Sequence, residues 1–220
     1  MDYKDIEEWF DSNQDGSLRN SNSSSHIEHL TEYILEKCQF KKSSKILEIG
    51  CGDGLILASI KKKRPDLQLS GIDLSQRQII KAQSLLPKIE FFAGNFLDVD
   101  IPRNFDAIFS FSTFQYIKRD DINKFNKKCL DLIDTSGKVS HLSIPNTDFR
   151  REYYYKALKN SRNNFVAFSI SLLKNLSYKY GKDGSNWHNP NHLMRHNLDC
   201  KICIDSPSDS WYRFNFHLIR

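Results

Sequence analysis

The segment Ile46-Leu47-Glu48-Ile49-Gly50-Cys51-Gly52-Asp53-Gly54 constrains this chain more than any other. A short apolar run enters three alternating glycines, and Leu55, Ile56 and Ile60 follow at helical spacing. Glycines at such a strand-to-helix turn let the chain bend sharply and let a ligand touch the backbone. In open parallel sheets, the crevice at the carboxyl end of that strand is the ligand site. A second segment, Gly71-Ile72-Asp73-Leu74-Ser75, puts a carboxylate at the tip of the next strand, 23 residues after Gly50. A carboxylate there can accept both ribose hydroxyls of an adenosine ligand. The dinucleotide fingerprint G-x-G-x-x-G fits less well. The third glycine comes one position early, and Leu55 stands where that fingerprint wants glycine. This opposes a nicotinamide oxidoreductase.

Strands alternate with helices through most of the chain, which predicts a parallel sheet with helices on both faces. The first 24 residues are polar and read as an arm rather than core. Ser25 and Glu28 form a capping box for a helix over 25–38. Strands are predicted at 45–49, 67–73, 89–92, 105–110 and 138–144. Lys61-Lys62-Lys63-Arg64-Pro65 reads as a helix end, because cations complement the dipole there and proline stops the helix. Ser75 caps the helix ended by Pro87, and Asp120-Asp121 open another that carries Ile122, Phe125 and Cys129 on one face. Residues 146–187 are less regular: Phe165, Phe168, Leu172 and Leu176 fit a helix, Val166, Phe168, Ile170 and Leu172 also fit a strand, and length favours the helix. The last two strands, 200–204 and 212–218, have no helix-sized segment between them and should pair antiparallel. The expected fold is α/β: a doubly wound, Rossmann-like sheet of seven strands with the last one reversed. A single domain at 25–220 would carry a helical insertion at about 146–192 on the substrate side.

Composition supports a folded chain. Hydrophobic residues make up 39% and aromatics 12% of the 220, enough for a core, so wholesale disorder is excluded. A net charge of +5 permits an anionic partner without predicting a nucleic-acid protein. Five scattered cysteines and no apolar run behind Met1 read as a reduced, cytoplasmic chain without a disulfide framework. The longest greasy stretch, Val166 to Leu173, is 8 residues, whereas a membrane span needs about 20.

Together these segments resemble the class I S-adenosylmethionine-dependent methyltransferases. Their first motif resembles Leu47 to Gly54, and their second resembles Gly71 to Ser75. Their third-strand motif, a small residue, Asp or Asn and a hydrophobic residue, is similar to Gly94-Asn95-Phe96. Their fourth strand, which begins Phe-Asp and ends near a His-His pair, is similar to Phe105 to Ser110 running on to Gln115-Tyr116. The resemblance covers residues 25–145 and, loosely, the Tyr212-Arg213-Phe214 ending. It implies S-adenosyl-L-methionine as cofactor. Gly50 and Gly52 would let its methionine part approach the backbone, with Cys51 between them and Glu48 and Asp53 beside it. Asp73 would hold the ribose diol, next to Leu74. Asn95 would bond the adenine amino group, and Phe96 would offer its backbone to the ring. Ser110 and Phe111 would lie under the methionine and sulfonium. Gln115-Tyr116 stands where many relatives have histidine, so a histidine base is not implied there. The Ser110-Phe111-Ser112-Thr113 stretch lacks the Asp/Asn-Pro-Pro-aromatic loop of the enzymes that methylate DNA base amines.

Three weaker constellations give way to plainer readings. Asp11 to Leu18 resembles the start of a calcium loop, but position twelve is Asn22 rather than a bidentate Glu. His188, His192, His196, Cys200 and Cys203 are metal-ligand types, yet Pro190 interrupts them and the two cysteines point to opposite faces of a strand. Arg150-Arg151-Glu152-Tyr153-Tyr154-Tyr155-Lys156 could hold RNA, but reads as a lid over a small substrate.

The resulting expectation is a methyltransferase acting on a small or carrier-borne acceptor, with no metal, DNA or membrane. RNA or protein methylation is the runner-up, and a non-catalytic S-adenosylmethionine-binding protein is the other class. The candidates for a catalytic group are Tyr116, His188 and Tyr154.

Overall fold

The computed structural model describes residues 2–12, 24–150, 152–153, 186–195, 198–206, 210 and 212–220. The helices are α1 (Tyr3–Ser12), α2 (Ser24–Cys38), α3 (Leu55–Lys63), α4 (Gln76–Leu85), α5 (Ile122–Leu132) and α6 (Pro190–Leu193). The strands are β1 (Lys45–Ile49), β2 (Gln68–Asp73), β3 (Glu90–Ala93), β4 (Phe105–Phe111), β5 (Ile133–Pro145), β6 (Lys201–Asp205) and β7 (Arg213–Ile219). They form one sheet in the order β3-β2-β1-β4-β5-β7-β6. Strands β1 to β5 pair in parallel, and β7 runs antiparallel to both β5 and β6. This is the doubly wound sheet with one reversed strand that the alternation predicts.

Each face of the sheet buries its own apolar layer. Leu47, Ile49, Ile108, Val139, Phe214 and Phe216 meet Phe125 and Cys129 of α5 on one side. Ile46, Leu69 and Phe109 meet Ile34 of α2 and Ile56 and Ile60 of α3 on the other. Side chains alternate across the pleat, so a slip of one residue would exchange the two layers. The end of α3 is closed by its own basic residues: Lys61 donates to the carbonyls of Pro65 (2.8 Å) and Leu67 (2.7 Å). The cationic run is thus a helix terminus, as its sequence context indicates.

Two elements depart from the expected pattern. Strand β5 begins at Ile133, directly after α5, rather than at Lys138. Ile133 pairs with Phe105, and the register then shifts so that Ala107 faces Lys138. Gly137 permits this kink, since a Cβ there would lie 2.7 Å from the Ile133 Cβ. The first twelve residues are also not a plain polar arm. Tyr3, Ile6 and Phe10 share one face of α1 at helical spacing, and Ile6 is buried.

All five cysteines are free. Among the described residues no helix is long and apolar enough to cross a membrane. Most of the expected insertion, including its 165–176 helix and the basic tyrosine stretch beyond Tyr153, lies outside the described residues. So does most of the calcium-like segment.

Candidate functional site

The strand order reverses at β1, which has β2 on one side and β4 on the other. The loop after β1 sits at this switch point, where parallel sheets open a crevice. Its backbone is pinned to β2: the amides of Gly50 and Cys51 both donate to the Ile72 carbonyl, at 2.7 and 3.1 Å. Gly50, Gly52 and Gly54 all have positive φ, at 75°, 55° and 80°. A Cβ on Gly50 would fall 2.2 Å from the Thr113 Oγ1, so glycine is what lets the β1 and β4 loops touch. A Cβ on Gly52 would meet nothing within 4 Å. The described residues leave open space there.

Asp73, at the tip of β2, holds this loop from the side. One carboxylate oxygen accepts the Gly52 amide at 2.8 Å, and the other accepts the Ser75 amide at 2.9 Å. Ser75 caps α4 in turn, accepting from the Gln78 amide. Asp53 and Leu74 are half-buried beside these groups. Glu48 is fully buried in β1. The Cys51 thiol is pushed well above its ordinary range, by burial first and then by the charges of Asp73 and Glu48. It is a protonated wall group rather than a nucleophile.

The β3 loop is shaped by Asn95. Its side-chain oxygen accepts the Leu97 amide (3.1 Å) and its nitrogen donates to Asp98 (2.9 Å). Phe96 packs its ring on Phe125 at 4.9 Å, under the Lys128 ammonium. Ser110 is turned into the core, where its hydroxyl bonds the His141 Nδ1 at 2.9 Å. That direction follows from alternation, since Ile108 faces the same apolar layer. Phe111 points to the opposite side and meets Tyr33 edge-on.

Beyond β4 the chain turns through Phe114, Gln115 and Tyr116, all buried. The Gln115 carbonyl accepts the Asn186 amide at 2.6 Å. His188 bridges Asn146 at the end of β5, with its ring edge-on to Phe114 at 5.1 Å. It is 3% exposed, and burial, followed by the charge of Arg119, lowers its pKa to about 3. The ring is therefore neutral and sits behind Phe114. Tyr153, Trp187 and Tyr212 form an aromatic cluster, with Tyr153 and Tyr212 centroids 4.6 Å apart. Tyr154 lies outside the described residues. So does His196, and among the described residues no three His, Cys, Asp or Glu converge to hold a metal.

Two contributors escape the motif reading. Helix α1 straps the crevice. Its Tyr3 hydroxyl donates to Asp121 (2.9 Å), Phe10 packs on Tyr116, and Asp11 accepts the Ser75 hydroxyl and, through its carbonyl, Arg77 (2.7 Å). The spacing of Tyr3, Ile6 and Phe10 was the available signal. The second is Arg213, which the reversal of β7 delivers to the same edge as the tips of β4 and β5. Its Nη1 donates to the Ser143 carbonyl at 2.5 Å and to the Gln115 Oε1 at 3.4 Å.

Residues 46–137 match the family model described as "Methyltransferase domain". Malonyl-acyl-carrier-protein O-methyltransferase 1 of Ilyobacter polytropus is 30% identical over 112 residues, 50% of this chain and 41% of the relative. A carboxy-S-adenosyl-L-methionine synthase of Nautilia profundicola is 33% identical over 97 residues, 42% of this chain and 41% of the relative. The chain thus spans less than half the length of these two curated relatives. Among solved structures, the plantazolicin methyltransferase BpumL superposes with a TM-score of 0.64 at 17% identity, covering 99% of this chain and 98% of its own. A Pyrococcus horikoshii OT3 protein gives 0.64 at 14% identity, covering 91% and 93%. At these identities the likeness concerns the fold.

Proposed function

We propose that this chain, which belongs to the class I S-adenosylmethionine-dependent methyltransferase family, transfers a methyl group from S-adenosylmethionine to a small or carrier-borne acceptor. The observation that carries the reading is the pairing of Gly52 with Asp73. A glycine held at positive φ borders space that no described residue fills, and the carboxylate that holds it stands at the switch point of the sheet. That arrangement fits an adenosine ligand whose linear part lies against the glycine backbone. Asp73 would hold the ribose diol, Asn95 and the Phe96 backbone the adenine, and the methionine part would lie against the Gly50–Gly52 backbone, bordered by Glu48 and Asp53. When bound, S-adenosylmethionine supplies a methyl group on a positively charged sulfur, an electrophile that needs no further activation.

The protein's own task is then to place the acceptor and keep water out. Tyr116 and Gln115, after β4, stand on the acceptor side, and α1 and the Tyr153–Trp187–Tyr212 cluster wall it. His188, neutral behind Phe114, contributes shape rather than charge, so an acceptor that arrives without a proton to lose suits this site best. The names of the curated relatives, which include methyltransferases of a malonyl carrier protein, support the small or carrier-borne class. Calorimetry tests the first half of the reading: S-adenosylmethionine binds and NAD does not. Release of S-adenosylhomocysteine with a radiolabelled methyl group in a product tests the second. A chain that binds NAD in preference, or binds neither, would end it.

A further inference from the structure

We propose that Arg213 is the specificity-determining residue of the acceptor site, and that the acceptor it selects carries a carboxylate. The inference deepens the methyl-transfer reading and rests on it.

Arg213 opens β7, and the antiparallel pairing of β7 with β5 sets it opposite Pro145, at the carboxyl edge of the sheet. The side chain is half-buried and stacks its guanidinium carbon 5.1 Å from the centre of the Tyr212 ring. Tyr212 is itself fixed against Tyr153 and Trp187. One nitrogen, Nη1, makes every hydrogen bond the guanidinium has among the described residues: to the Ser143 carbonyl, the Ser143 hydroxyl and the Gln115 Oε1. The Nε and Nη2 donors make none to a described residue. No carboxylate of a described residue lies within ion-pairing distance of it either. Arg64, also partly buried, shows the contrast: it grips Asp66 through both Nε and Nη2.

A guanidinium taken partly out of water keeps its charge and needs an anion or further acceptors to offset the lost hydration. Here the plane of the fork is set by Tyr212, and one corner is anchored by Ser143. What remains is a pre-set pair of donors, the geometry that matches a carboxylate in two parallel hydrogen bonds. The Ser143 backbone is also committed to this role. It lies at φ 64°, a conformation uncommon for serine, and its amide donates to the Asn215 Oδ1 at 3.0 Å. Gln115 links the fork to the turn after β4, next to Tyr116. Arg213 therefore reads the charged end of an acceptor whose other end reaches the methyl donor.

The test uses the full chain and matched probes: butyrate, succinate and benzoate, each with its amide and with a phosphomonoester of similar carbon skeleton. Binding of every probe is read by thermal shift and calorimetry in the presence of S-adenosylhomocysteine, and turnover by radiolabelled methyl transfer to succinate, whose second carboxylate can accept the methyl group. The expected result is that the acids bind and their amides do not. In Arg213→Gln, acid affinity and KM should worsen roughly 10- to 150-fold, the range set by a charge-assisted hydrogen bond, while S-adenosylhomocysteine affinity stays within about twofold. Arg213→Lys, which keeps the charge but loses the fork, should fall between the two. Acids and amides behaving alike in the wild-type chain overturn the inference whether or not the variants fold. So does a preference for the phosphomonoesters, or an RNA acceptor with no acid effect. Failure of the wild-type chain to bind S-adenosylhomocysteine overturns instead the methyl-transfer reading beneath it.

Discussion

The ring of Phe10 meets that of Tyr116 edge to face, with centroids 5.4 Å apart. Phe10 lies near the end of the first helix and Tyr116 in the turn after β4, so this one contact ties α1 to the proposed acceptor side of the crevice. The contact predicts a coupling. An edge-on aromatic pair contributes about 0.5–1.5 kcal/mol beyond its burial. Phe10→Ala should therefore cost only about 1–3 kcal/mol of stability, yet weaken S-adenosylmethionine binding measurably, because Asp11 beside it holds Ser75 at the ribose side. Urea unfolding and calorimetry on the variant check both parts. Cofactor affinity identical to wild type would mean α1 is ornament to the crevice.

Asp73 orders two backbone amides as well as standing at the proposed ribose site. Asp73→Ala should weaken S-adenosylmethionine by about 2–4 kcal/mol, roughly 30- to 1000-fold. Asp73→Asn should lose less, since its amide oxygen can still accept one of the two amides. Titration calorimetry ranks the three proteins. An unchanged affinity in folded Asp73→Ala removes Asp73 from the site.

The two loop glycines should separate fold from ligand. Gly52→Val introduces a branched side chain at φ 55°, which costs about 1–2 kcal/mol in strain, while its Cβ meets no atom of a described residue. It should fold with a melting temperature lowered by a few degrees and bind no cofactor. Gly50→Ala instead drives a methyl group into Thr113, and should lose substantially more stability than Gly52→Val. Melting curves beside cofactor titrations distinguish them; a Gly52→Val protein that still binds refutes the open-space reading.

Three buried histidines should make stability fall in mild acid. Burial lowers the pKa of His141 and His188 to about 3 and that of His217 to about 4, from 6.5. Each stays neutral in the folded chain while the unfolded chain takes up a proton below about pH 6.5. Stability is therefore full above that pH and declines toward pH 4, by up to about 1.4 kcal/mol per pH unit for each histidine. Urea unfolding at pH 7.5, 6 and 5 measures the slope, and His188→Gln should flatten it by about one proton. A level profile across that window would show that these rings are protonated when folded.

Much of the architecture was legible because it rests on local patterns. The apolar run into Gly50, the cap at Ser75 and the missing helix between β6 and β7 each have a short-range cause. The meeting of the Gly52 amide with Asp73 follows from the same two segments. What stayed hidden depends on distant partners. Helix α1 carries Tyr3, Ile6 and Phe10 toward the domain among acidic residues, and their partners lie more than a hundred residues on or across the crevice. Arg213 acquires its surroundings only when β7 pairs with β5. Gly137 stands just before the strand predicted at 138–144, whereas in the structure it lies within that strand and allows it to bend. Ser110 could have been read better, because its alternation with Ile108 already turns it inward.

The reversal of β7 has a practical corollary. Its first residue enters the acceptor side, and its far end leaves by the opposite rim, where the Arg220 amide and guanidinium donate to the carbonyls of Gly137 and Ile133. The start of the chain, by contrast, lies across the crevice. A fluorophore or surface linker attached at this rim, beside Arg220, would hang away from the proposed acceptor side. The same cargo placed before α1 would press on the strap, so immobilised assays of this protein should be anchored from its last strand.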